Sequence, residues 1–88
     1  MSGANGRVAV TPEATWPDDA EADAEGVVVN WFARVGKRVE AGESLCECQI
    51  EKVSFDVDAP ASGELVEIVA QEDDEIHRED TLAWIQPS

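Results

Sequence analysis

Short runs in which apolar and polar residues alternate, separated by Gly, Pro, Asp and Asn, fill most of the chain. Such runs predict β-strands, because successive side chains of a strand face opposite sides of a sheet. Short strands with turn signals at a spacing of roughly 8–12 residues are typical of an all-β sandwich or barrel. The predicted strands and brief extended pieces are residues 7–10, 27–33, 39, 45–50, 53–57, 65–70, 76 and 81–85.

The pattern repeats once, at an offset of 37 positions and without a gap, so that residues 26–33 align with residues 63–70. Further along, the equivalent pairs are Val39 and Ile76, Leu45 and Leu82, Cys46 and Ala83, and Cys48 and Ile85. Two copies are too few for a solenoid. The repeat therefore predicts one domain with a quasi-twofold axis, in which each half buries its apolar face against the other.

Lys52 lies at the join between the two halves, between the predicted strands 45–50 and 53–57. The two-residue connection Glu51-Lys52 predicts a tight hairpin with the lysine at its tip. The chain contains only two lysines, Lys37 and Lys52, against 20 acidic residues. In so lysine-poor a chain, a lysine at a hairpin tip is the first candidate for a functional residue.

The length of 88 residues predicts a single domain with a modest core. We expect a flexible N-terminal lead at residues 1–6, the domain at 7–86 and a C-terminal tail at 87–88. The chain has neither an apolar run of the roughly 18–20 residues that a membrane span needs nor the apolar stretch of a signal peptide. We therefore expect a cytoplasmic protein, or a piece of a larger one, that does not enter a membrane.

The formal net charge of −14 argues against nucleic acid as a partner, because binding phosphates takes clustered Lys and Arg. Three interpretations of the acid excess stay open: a well-solvated surface, electrostatic steering of basic partner enzymes, and adaptation to high salt.

The residue types that often carry chemistry have structural interpretations here. Cys46 and Cys48 are two apart on a predicted strand, so both thiols face the same side and are expected to be small buried core residues with poor geometry for a disulfide. His77 lies in a charged segment and is expected to be a solvated turn residue. No nucleophile, acid–base or metal-ligand constellation is visible, so we expect no catalytic site and no metal site.

Four segments resemble the lipoyl domain of 2-oxo-acid dehydrogenase complexes, namely residues 25–36, 39–45, 50–53 and 58–63. The resemblance extends over residues 7–86. It implies a flattened barrel or sandwich of two four-stranded antiparallel sheets with quasi-twofold symmetry, a barrel-sandwich hybrid. It also implies that the modified lysine of the family, which sits at an exposed hairpin tip, is Lys52 here.

The flanks of Lys52 bear on which cofactor the resemblance implies. Biotin carriers share the fold but have methionine on both sides of the lysine, whereas this chain has Glu51 and Val53, and its only methionine is Met1. An acidic residue before the lysine and valine after it is the lipoyl pattern. A biotin carboxyl carrier domain and an unmodified barrel-sandwich scaffold module remain alternatives; the related glycine-cleavage carrier is a longer protein.

The resemblance therefore implies lipoate joined by an amide to Lys52, with Glu51 and Val53 flanking the attachment turn. The loaded lysine would be a swinging arm that passes acyl groups and reducing equivalents between enzymes. The implied partners are a thiamine-dependent 2-oxo-acid decarboxylase, an acyltransferase core, dihydrolipoamide dehydrogenase, and a lipoate ligase or lipoyl transferase. The chain would be a monomeric carrier domain without its own catalytic site, either part of a dihydrolipoamide acyltransferase or a free-standing partner of such a complex.

Three features give further expectations. We expect core packing rather than a stacking platform for the strand aromatics Trp31, Phe32, Phe55 and Trp84, whereas Trp16 could clip its polar loop onto the barrel. The acidic segment 13–25, broken by Pro17 and without an apolar stripe, is predicted to be a loop, longer than usual in the family. In the family it lies beside the lysine hairpin and helps partner recognition; a tolerated surface insertion is the alternative. Asp73-Asp74 replaces the family's Gly-Asp turn and predicts a changed or looser turn.

Overall fold

The structure, a computed structural model, describes residues 6–21 and 23–87. Its strands are β1 Val8–Val10, β2 Gly26–Trp31, β3 Arg38–Val39, β4 Ser44–Ile50, β5 Val53–Asp58, β6 Gly63–Ile68, β7 Glu75–Ile76 and β8 Ala83–Pro87. They form two four-stranded antiparallel sheets, with the orders β1-β8-β6-β3 and β5-β4-β2-β7. The predicted fold class is thereby confirmed.

The two ends of the chain are described only in part. Of the predicted lead at residues 1–6, all but Gly6 lie outside the described residues, and so does Ser88 of the predicted tail at 87–88. Pro87 is the last residue of β8, where it pairs with Gly63 of β6, so the strand continues past residue 86.

The internal repeat appears in the structure as equivalent strands, with β2, β3 and β4 matching β6, β7 and β8. The pairing of β2 with β4 shifts register between Val28 and Asn30, and that of β6 with β8 shifts at the equivalent Leu65 and Glu67. The equivalent pairs that are completely buried, at 0% exposure, include Val28 and Leu65, Leu45 and Leu82, Cys46 and Ala83, and Cys48 and Ile85. Each half thus contributes the same apolar face to a shared core, as the repeat predicts.

The turn at Asp73-Asp74 is neither changed nor looser, so that expectation was wrong. Asp73 has a φ of 76°, in the same left-handed region as its equivalent Gly36, with a φ of 95°. The Asp73 amide donates to the Val28 carbonyl at 2.8 Å, and the Gly36 amide donates to the Leu65 carbonyl at 2.7 Å. Aspartate enters the left-handed region more easily than most residues, and the bond to the other half fixes the same turn.

The aromatic residues divide between the core and the surface. Trp31, Phe55 and Trp84 are half-buried, and the first two pack against the core. Phe32 is 48% exposed, so the prediction of core packing is wrong for this residue. The chain bends just past the end of β2, and the buried position in this bend is taken by Ala33, which leaves its neighbour Phe32 facing outwards.

The segment between β1 and β2 packs back on the barrel. It opens with a short 3₁₀ turn, Glu13–Thr15, and is otherwise irregular where it is described, so the loop prediction holds except for this turn. Trp16 is only 7% exposed and meets the Phe55 ring edge-on at a centroid distance of 5.7 Å. The expectation that Trp16 clips this loop onto the barrel is confirmed.

Candidate functional site

The predicted hairpin is present, with Lys52 at its tip. Strands β4 and β5 pair as far as Ile50 and Val53, which leaves Glu51 and Lys52 as a two-residue connection. Glu51 has a φ of 54°, a left-handed conformation that such short hairpins use at their first central position. For a residue other than glycine, this conformation costs on the order of 1–3 kcal/mol, and strain of this kind concentrates at functional sites.

A side chain from the adjoining strand steadies the tip. The Gln49 side-chain amide donates to the Glu51 carbonyl at 3.0 Å, which satisfies a backbone group at the turn. Below the tip, Gly26 of β2 lets two strands approach closely, because a Cβ there would lie 3.0 Å from Ile50 Cγ1 and 3.2 Å from the Gln49 carbonyl oxygen. The close approach at Gly26 depends on how β2 and β4 pack together, so sequence reasoning did not predict it.

The Lys52 side chain is exposed, and among residues 6–21 and 23–87 no acidic group forms an ion pair with it. The other lysine differs, because Lys37 Nζ lies 3.6 Å from a carboxylate oxygen of Glu43. An amine without a salt-bridge partner can lose its charge by acylation without breaking a contact of the fold. Of the two lysines, Lys52 is therefore the one whose environment suits covalent modification.

The flanking residues Glu51 and Val53 lie beside the lysine at the tip and are both exposed, Val53 at 47%. Both therefore lie within reach of anything that binds the tip.

A groove of about 190 Å³ separates the hairpin tip from the long loop. One wall consists of Pro17, Asp19 and Ala20, and the other of residues 50–53, Lys52 included. The acidic loop therefore lies next to the hairpin, as the resemblance implied. Sequence reasoning placed the loop near the tip but did not predict a groove between them.

The two cysteines are structural. Both are fully buried, and their Sγ atoms lie 4.0 Å apart as free thiols. The contact with the Cys48 thiol, and then burial, raise the pKa of Cys46 far above its ordinary value, so this thiol stays protonated. The prediction of buried core cysteines is confirmed. Within the described residues, no three His, Cys, Asp or Glu side chains cluster as metal ligands would.

His77 is an exposed turn residue, as predicted. Its Nδ1 lies 3.3 Å from Asp80 Oδ2, and its Nε2 lies 3.5 Å from Glu25 Oε2. The hydrogen bond with Asp80, and to a smaller degree the one with Glu25, raises the pKa of His77 above its ordinary value. The imidazole thus ties the end of the long loop to a turn of the second half.

Comparison with known proteins finds a matching family and several relatives of this chain. Residues 12–85 match the biotin/lipoyl family, described as biotin-requiring enzymes. Over 60 residues the chain is 38% identical to the dihydrolipoyllysine-residue acetyltransferase component of the pyruvate dehydrogenase complex of Corynebacterium glutamicum, covering 68% of this chain and 9% of the relative. Over 74 residues it is 33% identical to the dihydrolipoyllysine-residue succinyltransferase component of the 2-oxoglutarate dehydrogenase complex of Staphylococcus saprophyticus, covering 84% of this chain. The chain spans only 18% of that second relative.

Solved structures give the same architecture. The lipoyl domain of the 2-oxoglutarate dehydrogenase complex of Azotobacter vinelandii superposes with a TM-score of 0.64 at 28% identity, over 88% of this chain and 95% of that one. The urea carboxylase of Kluyveromyces lactis superposes with a TM-score of 0.64 at 32% identity, over 80% of this chain and 6% of that one. A long-chain acyl-CoA carboxylase superposes with a TM-score of 0.74 at 20% identity, over 96% of this chain and 7% of that one. At this low identity the match supports the fold alone. In the part of the chain that is described, no helix has the length and apolarity to cross a bilayer.

Proposed function

The chain belongs to the biotin/lipoyl attachment family, and we propose that it is a lipoyl carrier domain with lipoate amide-linked to Lys52. The observation that carries this proposal is an exposed lysine that makes no ion pair with the described residues and lies at the tip of a two-residue hairpin. An attachment site must display its amine to a loading enzyme and then to several active sites. A hairpin tip meets both needs.

The choice of lipoate over biotin rests on the flanks of the lysine and on the relatives. Glu51 and Val53 stand where biotin carriers have methionine. The curated relatives named above are dihydrolipoyllysine-residue acyltransferases, and the lipoyl domain of Azotobacter vinelandii matches over nearly its whole length. Biotin is the second candidate, because the family description names it and two of the solved neighbours are carboxylases.

The residues at the tip suit an amide-linked cofactor. Acylation removes the ammonium charge of Lys52, which makes no ion pair with the described residues. When bound, lipoate supplies a dithiolane for thiol–disulfide exchange. The protein supplies a fixed base for it, since the bond from Gln49 to the Glu51 carbonyl braces the turn and the close packing at Gly26 brings β4 of the hairpin against β2.

The partners follow from the same proposal. Tethering raises the effective concentration of the arm at each active site, so a small carrier can serve several enzymes. The relatives' names point to an acyltransferase core, and the proposed cycle adds a thiamine-dependent 2-oxo-acid decarboxylase, dihydrolipoamide dehydrogenase and a lipoate ligase or lipoyl transferase. Because the chain spans less than a fifth of those relatives, its 2-oxo acid is a separate question. The cytoplasm remains our prediction for its compartment.

Intact-mass measurement tests the choice of cofactor. The wild-type chain is incubated with lipoate and its ligase, and in parallel with biotin and its ligase. We expect a lipoyl increment and no biotin increment; the reverse result would establish the biotin carrier instead. A double variant, Glu51→Met with Val53→Met, serves as the matched control, because we expect it to gain biotin if the flanking residues decide the choice. Absence of either increment on the wild-type chain would favour an unmodified scaffold.

A further inference from the structure

The groove between the long loop and the hairpin has a property that the proposed carrier role does not require: Lys52 itself lines it. Resting on the proposed function, we propose that this groove is a docking site for the lipoyl arm of the same chain. The arm then alternates between a sheltered position against Ala20 and Val53 and an extended position in solvent.

The size of the groove suits this occupant. Its volume is about 190 Å³, whereas an engineered apolar cavity of about 150 Å³ is enough to bind benzene. A five-membered dithiolane ring with part of its alkyl chain is an occupant of this order. The groove does not need to hold the whole arm, because the arm begins at a residue of its own wall.

The chemistry of the walls also favours a neutral, apolar occupant. Apolar side chains form much of the lining, namely Pro17, Ala20, Ile50 and Val53. Of these, Val53 is a large apolar side chain that is 47% exposed. An arm lying on Val53 would remove this surface from water. The charged residues of the lining other than Lys52 are the acids Asp19 and Glu51, which oppose an anionic ligand; the amide-linked arm carries no charge.

The loop wall is already formed and held in place. The Ala20 amide donates to the Pro17 carbonyl at 3.1 Å, which closes a turn within the wall. Just before that turn, Trp16 packs edge-on against Phe55 of β5. A preformed groove needs little ordering when the arm enters, and the covalent tether makes docking intramolecular, so a weak contact suffices to populate it.

The test uses the full chain after lipoylation, with loading checked by intact mass. Methyl groups of Ala and Val are labelled with ¹³C, and nuclear Overhauser effects from the arm protons to Ala20 and Val53 are sought. The second readout is the rate at which a small phosphine reduces the dithiolane. We compare the wild type with Ala20→Asp, which adds a carboxylate to the groove, and with Ala14→Asp, a matched change at an exposed position of the same loop outside the groove.

We expect arm contacts to both methyl groups in the wild type and in Ala14→Asp, and their loss in Ala20→Asp. The reduction rate is expected to rise about threefold in Ala20→Asp alone, as it would if the arm is docked roughly two-thirds of the time. A lipoylated wild type without these contacts, with equal rates in all three proteins, overturns the docking proposal and leaves the carrier function intact. A chain that accepts no lipoate overturns both.

Discussion

Replacing Trp16 by alanine tests whether this one side chain holds the long loop against the barrel. Trp16 is 7% exposed and makes an edge-to-face contact with Phe55, at 5.7 Å between ring centroids. Truncating a buried Trp or Phe to alanine costs about 3–5 kcal/mol; since Trp16 packs on the barrel from a loop, we expect about 3 kcal/mol. An 88-residue domain has roughly 4–13 kcal/mol of stability in total, so the loss would be a large fraction of it.

Trp16→Phe is the matched control. The indole Nε1 is buried and has no hydrogen-bond partner among the described residues, and a buried donor left unpaired costs about 1–3 kcal/mol. Phenylalanine removes that donor and keeps an aromatic ring against Phe55. Removing the unpaired donor offsets part of the stability lost with the smaller ring, so we expect the free energy of unfolding to change by no more than about 1 kcal/mol.

The assay is thermal unfolding followed by circular dichroism, with limited proteolysis of the loop. For a domain of this size, about 1 kcal/mol shifts Tm by roughly 4–8 °C, so Trp16→Ala should lower Tm by roughly 12–24 °C and expose the loop to protease. Trp16→Phe should stay within about 8 °C of the wild type. A loss below about 1 kcal/mol in Trp16→Ala, or equal losses in both variants, would refute the argument that the ring contact holds the loop.

Three further predictions concern the core and the turns. The buried thiols of Cys46 and Cys48 should fail to react with a thiol reagent at neutral pH in the native chain and react fully in denaturant, since burial and mutual contact keep the Cys46 thiol protonated; fast native labelling would contradict this. The raised folded-state pKa of His77 means that its contribution to stability is fully present below its ordinary pKa of 6.5 and is lost as pH rises through the higher folded value; urea midpoints across this range should show a fall that His77→Gln lacks. Asp73→Gly should leave the free energy of unfolding unchanged or raise it by up to about 1 kcal/mol, because glycine adopts the φ of 76° without strain; a clear loss in urea denaturation would show that the aspartate side chain holds the turn.

The features that the sequence predicted correctly depend on the regular spacing of apolar residues along the chain. The alternation of apolar residues located the strands, and the offset of 37 positions identified two equivalent halves, residues 26–50 and 63–87, whose buried positions correspond except that Ile50 is buried and its equivalent Pro87 is exposed. The hairpin tip at Glu51-Lys52 followed from two strand-like runs with two residues between them. These features can be predicted from the sequence because each depends on neighbouring residues or on a fixed spacing along the chain.

The features that the sequence missed depend on which elements meet. Phe32 lies just beyond the end of β2, where the inward position belongs to Ala33 and not to the larger aromatic ring. The conformation of Asp73 is set by the hydrogen bond that its amide donates to the Val28 carbonyl in the other half of the domain. The groove beside Lys52 exists because the loop folds back onto the hairpin, and no local pattern encodes that contact.

The attachment of a cofactor to Lys52 is the central claim, and fragment-ion mass spectrometry of the lipoylated chain tests it most directly. We predict one lipoyl group, found on the peptide that contains Lys52 and absent from a Lys52→Arg variant whose circular dichroism matches that of the wild type. Lys37 provides an internal control, because it is the only other lysine and is paired with Glu43. A lipoyl group on Lys37, or one that persists in Lys52→Arg, would contradict the account.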